Sequence, residues 1–122
     1  MRCWTVDEAN DALAWVKELV ERTQELWADL RAQSITTVRL VRQNGHGVVP
    51  ADPGPIRACI DELAAEGVVL RDIERGLVDF PARASSGTWY WLCWLHGESE
   101  IGWWHWLDSG FAGRTPVSDL PD

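Results

Sequence analysis

Between Leu92 and Arg114 the chain reads LCWLHGESEIGWWHWLDSGFAGR, a run that carries more chemistry than a packing core needs. His105 is its centre, with Asp108 three residues later and Glu98 opening the preceding turn. An imidazole with carboxylates is the ligand set of zinc or non-haem iron, and equally of a general acid–base pair. Arg114 closes the run as the only Lys or Arg after Arg83. It either anchors the tail or grips an anionic substrate group. Trp94, Trp103 and Trp104 are expected to wall the pocket. A lone histidine is more often a half-buried ring bonded to a carbonyl, and the spacing matches no dense motif such as HExxH. The residue types therefore point to a class of chemistry, metal-assisted or acid–base, and to no particular reaction.

Four further residues bear on that chemistry. Asp79 interrupts the apolar run LVDFPA. It reads with equal weight as a carboxylate of the site and as a structural partner of Arg114. Cys93 offers a thiolate ligand or nucleophile, but strand register restrains it. If Gly97 pairs with Glu100 across a two-residue turn, Cys93 faces Trp104 and Leu92 faces His105, which puts Cys93 and His105 on opposite sheet faces. A bulge or a three-residue loop reverses this. A buried structural thiol is the favoured reading of Cys93. His46, in the glycine-flanked NGHG, and His96 join His105 in a multi-histidine site only if that loop folds over the C-terminal sheet.

The elements that must position these groups are an N-terminal pair of helices and a C-terminal set of strands. Thr5-Val6-Asp7-Glu8 is a capping box. Ala9, Leu13, Val16, Val20, Thr23, Trp27 and Leu30 then recur at alternating four- and three-residue steps, the seam of a helix packed lengthwise. The helix is expected to run to about Val41. Gln43 to Pro55 reads as loop, with Asp52 capping a second helix, Pro53 in its first position and Gly67 ending it. Ile56, Ile60 and Leu63 are its inner stripe. This helix is too short to cover the whole seam, so the first helix must also pack on the sheet or pair with a second copy of the chain. A homodimer through the N-terminal helix is one expectation.

From Val68 the period changes toward strands: VVL, GLVDFPAR, TWYWLCWLH and IGWWHW, with turns at Ser85 to Gly87 and Gly97 to Glu100. Alternation puts Trp89, Trp91, Cys93 and Leu95 on one face and Tyr90, Leu92, Trp94 and His96 on the other. One aromatic face can lie on the helices; the other needs the tail and a partner, or a ligand, to cover it. The tail from Ser109 reads as irregular, fraying after Val117. The whole is a single α+β domain over residues 1–122: a helical hairpin over about 5–67, packed on a small antiparallel β-meander with its tail over 68–117.

Composition narrows the function. At 122 residues and 46% hydrophobic the chain can bury a core without disulfide staples. Its cysteines, Cys3, Cys59 and Cys93, have no CxxC spacing, and a reducing cytoplasm is the expected compartment. No apolar run is long enough to span a membrane and the first residues do not read as a signal peptide, so no membrane partner is expected. The net charge of −8, with the segment beyond Arg83 acidic except for Arg114, repels phosphate backbones and argues against nucleic acid. A cation or a neutral aromatic ligand suits that segment better.

GLVDFPA (Gly76 to Ala82), LCW (Leu92 to Trp94), GE (Gly97-Glu98), WH (Trp104-His105) and DSGFAGR (Asp108 to Arg114), together with the helix opening TVDEANDAL, resemble the pattern of DUF2203, a family of small bacterial proteins of unknown function. The resemblance spans nearly the whole chain and implies little mechanism. Trp89, Trp91, Trp103 and Trp106, and the GHG around His46, depart from that pattern. The sequence reading is thus a small protein with a polar pocket of His105, Asp108, Glu98 and Arg114, with Asp79 nearby. The pocket binds a divalent metal such as zinc or iron, held by His105, Asp108 and Glu98 with Cys93, His46 and His96 in reserve, or a small organic ligand. The alternative is a non-catalytic module that dimerises through its helix and docks a partner on its Trp-rich sheet.

Overall fold

The structure, a computed structural model, describes residues 2–44 and 52–121, with only the backbone for 34–44. It is an α+β fold: three helical segments lie on one face of a five-stranded antiparallel sheet whose strands neighbour one another in chain order. Helix α1 (Val6–Asp11) opens on the expected capping box, with Thr5 Oγ1 accepting from the Glu8 N–H at 3.1 Å and Glu8 Oε1 from the Thr5 N–H at 3.0 Å. Hydrogen bonding passes through the irregular residue Ala12 into α2 (Leu13–Asn44). Ala9, Val16, Val20 and Thr23 are fully buried along the seam, while Trp27 and Leu30 are half-buried.

Helix α3 (Gly54–Ala65) starts one residue later than expected. Pro53 is its cap residue and has no side-chain donor or acceptor to offer; Asp52 still caps the end by accepting the Gly54 N–H at 2.9 Å. Its far end is the expected glycine stop. Gly67, at φ +78°, donates to the Ala64 carbonyl and Val68 to that of Leu63, the paired bonds of a Schellman motif. Its buried stripe is Ile56, Cys59 and Leu63, with Ile60 half-buried at the margin.

Strands β1 (Val69–Asp72), β2 (Leu77–Arg83), β3 (Trp89–Leu95) and β4 (Trp103–Trp106) form the meander. Val78, Phe80 and Ala82 of β2, Tyr90, Leu92 and Trp94 of β3, and Trp104 of β4 share a buried cluster with Val16, Val20 and Leu63 of the helices. This inner face is the core. Asp79, Cys93 and His105 alternate with those residues and point to the opposite, outer face.

The pairing of β3 with β4 departs from the two-residue-turn reading. Cys93 pairs with Trp103 and Trp91 with His105, one residue away from that register. The connection is a loop over residues 96–102, and distant groups set its length. Ile101 is drawn into the core at 2% exposure, and its N–H donates to Asn10 Oδ1 at 2.7 Å. The one-residue difference brings Cys93 and His105 to the same face.

The tail is also more ordered than its composition suggests. A short 3₁₀ turn (Phe111–Gly113) leads into β5 (Thr115–Pro116), which pairs with β4, and a second turn (Val117–Asp119) follows. The Trp104 indole N–H donates to the Asp119 carbonyl at 3.0 Å, tying the chain beyond Val117 to the sheet. Among the described residues no helix is long and apolar enough to cross a membrane.

Candidate metal site

Three neighbouring strands each send one polar side chain to the outer face: Asp79 from β2, Cys93 from β3 and His105 from β4. Cys93 stands directly opposite Asp79, and His105 stands opposite Trp91, diagonal to Cys93. Their exposures are 2%, 0% and 4%. The Cys93 Sγ, one imidazole nitrogen and one carboxylate oxygen all lie within 4.8 Å of one another. Among the described residues this is the only group of three or more such side chains arranged to hold a metal ion.

The hydrogen bonds fix how His105 presents itself. Its Nδ1 lies 2.8 Å from the Trp106 carbonyl oxygen, which can only accept, so Nδ1 carries the proton. Its Nε2 lies 3.0 and 3.1 Å from the two oxygens of Asp79. A ring nitrogen and a carboxylate at that distance must share a proton or a cation between them. Histidine ligands to metals characteristically donate their other ring N–H to a carbonyl in this way.

The thiol and the arginines complete the electrostatics. Burial pushes the Cys93 thiol up to about 12; the Asp79 charge and hydrogen bond add to the rise, and the Arg114 guanidinium opposes it. Cys93 is therefore a protonated thiol unless a metal displaces the proton. Arg71 donates through Nε to Asp79 Oδ2 at 3.0 Å, and its guanidinium lies over the Trp91 ring at 4.8 Å. Arg114 holds Glu98 with both terminal nitrogens, at 2.7 and 3.0 Å, and reaches the Cys93 carbonyl at 3.3 Å. Its guanidinium is sandwiched near Trp103 and Phe111, with centroid distances of 5.0 and 4.9 Å.

This arrangement sorts the residues singled out from the sequence. His105 and Asp79 meet directly, with Cys93 beside them. Glu98 is committed elsewhere: besides Arg114, its Oε1 accepts the Leu95 N–H at 2.7 Å, so it locks the tail to the loop. Asp108 is exposed in the turn after β4, beside Trp89, Trp106 and Leu107, and takes no part in the cluster. Trp103 shares the outer face, whereas Trp94 and Trp104 belong to the inner core and donate their indole N–H groups to the Glu98 and Asp119 carbonyls. The three rings therefore wall no common pocket. His96 faces α2, 3.1 Å from Glu21 Oε2. His46 lies outside the described residues. Asp79 has Arg71 as its arginine partner in place of Arg114. Arg71 had no signal of its own in the sequence, whereas strand alternation already put Trp91 on the Cys93 face; the turn DIERG, which folds β1 back on β2, is what could have placed Arg71 near Asp79.

The family model described as "Uncharacterized conserved protein (DUF2203)" matches residues 2–117. The chain belongs to the DUF2203 family. Comparison with curated proteins and with solved structures gives no match. In this DUF2203 chain, Asp79 falls in GLVDFPA, Cys93 in LCW and His105 in WH, three of the stretches on which the sequence resemblance rests.

Chemically, a thiolate, an imidazole and a carboxylate could hold a divalent ion, and they match the ligand types zinc prefers. Three protein ligands leave a fourth position open. That is the pattern of zinc sites that polarise a bound water or substrate oxygen.

Proposed function

We propose that this DUF2203 protein is a small metalloprotein that holds one divalent ion, zinc before iron, between Cys93 Sγ, His105 Nε2 and an Asp79 oxygen. The ion's open position would activate a bound water or polarise a substrate oxygen. The observation that carries this reading is the orientation of His105. With its Nδ1 proton spent on the Trp106 carbonyl, the Nε2 lone pair is directed into a dry cluster containing a carboxylate and a thiol. Metal binding would ionise Cys93 and release its proton, offsetting the cost that burial puts on the free thiolate.

One observation favours a metal-free reading. Asp79 already receives bonds from Arg71 and His105, with the Cys93 thiol beside it, which satisfies it as a structural network or an acid–base pair. The two readings separate in elemental analysis of protein purified without chelators, for the wild type and for Cys93→Ser and His105→Ala. The metal reading expects near-stoichiometric zinc or iron in the wild type and its loss in both folded variants. Cobalt substitution should add a thiolate-to-cobalt absorption that disappears in Cys93→Ser. Wild-type protein that neither carries nor takes up any divalent metal sinks the metal reading and leaves the network.

A further inference from the structure

We infer that the metal's open position is a receptor for a small oxyanion, a carboxylate or a phosphate, gripped on its other side by Arg71. This rests on the metal reading above and adds to it the ligand's chemistry.

Coordination supplies the first argument. Zinc with N, O and S ligands is four-coordinate, and the described residues offer three ligand atoms at the cluster with no fourth His, Cys, Asp or Glu beside them. Among the described residues, then, no side chain supplies the fourth ligand, and the position is open to a small molecule.

Charge supplies the second. The two charges of the ion are balanced by the Cys93 thiolate and the Asp79 carboxylate, with His105 neutral. The Arg114 charge is balanced by Glu98. Arg71 remains, so the loaded site carries one net positive charge, placed on the half-exposed Arg71 at its edge, and an anion is favoured there.

Geometry supplies the third. Arg71 spends only Nε on Asp79, and among the described residues its two terminal amino groups make no hydrogen bond to the protein. Its side chain is 43% exposed while Asp79 is 3% exposed, so it stands at the solvent edge of the cluster rather than inside it. Stacking on Trp91 holds the guanidinium plane in place. A fixed guanidinium edge with two free donors is suited to a pair of carboxylate or phosphate oxygens. One oxygen of such a ligand would reach the metal and another the Arg71 edge.

The test uses the full chain loaded with cobalt(II), whose visible bands report the coordination sphere. Metal content and the thiolate-to-cobalt band are recorded first; acetate and inorganic phosphate are then titrated separately. A saturable change in the visible bands with either anion, weakened about tenfold or more in Arg71→Met at equal cobalt content, is expected. Arg71→Lys should fall between the two, since it keeps the charge and loses the fork. The anion that binds more tightly identifies the ligand class. Bands that neither anion moves, or equal affinity in wild type and Arg71→Met, overturn the inference while leaving the metal reading intact. Failure of the wild type to take up cobalt overturns both, and is visible before any anion is added.

Discussion

On the inner side of the sheet, Val78, Phe80, Leu92 and Trp94 are buried against helices, and the only polar atoms of the tryptophans are satisfied by backbone carbonyls. On the outer side the same strands bury Asp79, Cys93 and His105, covered by no helix. Beside them lie planar cations on aromatic rings: Arg71, bonded to Asp79, on Trp91, and Arg114, bonded to the Cys93 carbonyl, near Trp103 and Phe111. A period of two lets one strand serve both faces, so Leu92 in the core and Cys93 in the cluster are chain neighbours. The difference teaches that burial on the outer face is achieved by charged lids rather than by apolar bulk. Such a lid excludes water and still leaves donors at its rim.

The sharpest way to break the comparison is to alter Leu92 and Cys93 separately. Leu92→Ala should cost about 2–5 kcal/mol, the range for truncating a fully buried aliphatic side chain. Denaturant unfolding measures this, and metal content per folded molecule should not change. Cys93→Ser should do the reverse, keeping most of the stability and losing the metal. If Cys93→Ser unfolds the metal-free protein as thoroughly as Leu92→Ala, the outer cluster is core by another name.

Within the outer face, His105→Ala should cost the metal-free protein about 1–3 kcal/mol, because Asp79 loses a buried partner. The Cys93 thiol gives a pH signature there. Its folded value, about 12, lies above its ordinary value, so its contribution to stability is fully present below about pH 9 and fades as pH rises toward 12. Unfolding midpoints of metal-free wild type should fall over that alkaline window more steeply than those of Cys93→Ala. At neutral pH a thiol reagent should modify exposed Cys3 readily and Cys93 only after unfolding. Fast labelling of Cys93 in folded protein would contradict the protonated, enclosed thiol.

How much of this could be read from the sequence depended on how far each determinant reaches along the chain. The capping box at Thr5 and the glycine stop at Gly67 are local and could be read directly. So could the alternation of β3, and Asp79 as a lone acid in an apolar strand. The register of β3 on β4 could not, because Asn10 and the core set it by holding Ile101 from ninety-one residues away. That single residue of register decided whether Cys93 could meet His105. Asp108 was misleading for a related reason: it lies past the end of β4, where strand spacing no longer says which groups meet. Arg71 escaped notice because its only local mark is the turn DIERG that follows it, which does not say what the strand beyond will bring opposite. Only the β1–β2 pairing, with Val69 opposite Asp79, brings it to the cluster.

Two ion pairs offer the smallest and most discriminating test of the lid. Arg114–Glu98 fastens the tail to the loop on the outer side, with side chains 11% and 24% exposed. Arg31–Glu74 joins α2 to the β1–β2 turn, with side chains 60% and 62% exposed. The second has the shorter contact, 2.6 Å against 2.7 Å, so distance alone would rank it first. Solvent decides otherwise. A pair in water loses most of its attraction to screening and to side-chain entropy, whereas an enclosed, two-pronged arginine–carboxylate pair keeps it. Double-mutant cycles on unfolding free energy should give a coupling of about 1.5–3 kcal/mol for Arg114 with Glu98. For Arg31 with Glu74 the coupling should be about 0.2–1 kcal/mol, and raising the salt should erode it first. Equal couplings would mean that the outer lid is as wet as the helix surface, and a wet lid could not push the Cys93 thiol so far above its ordinary value, since burial is the main cause of that rise.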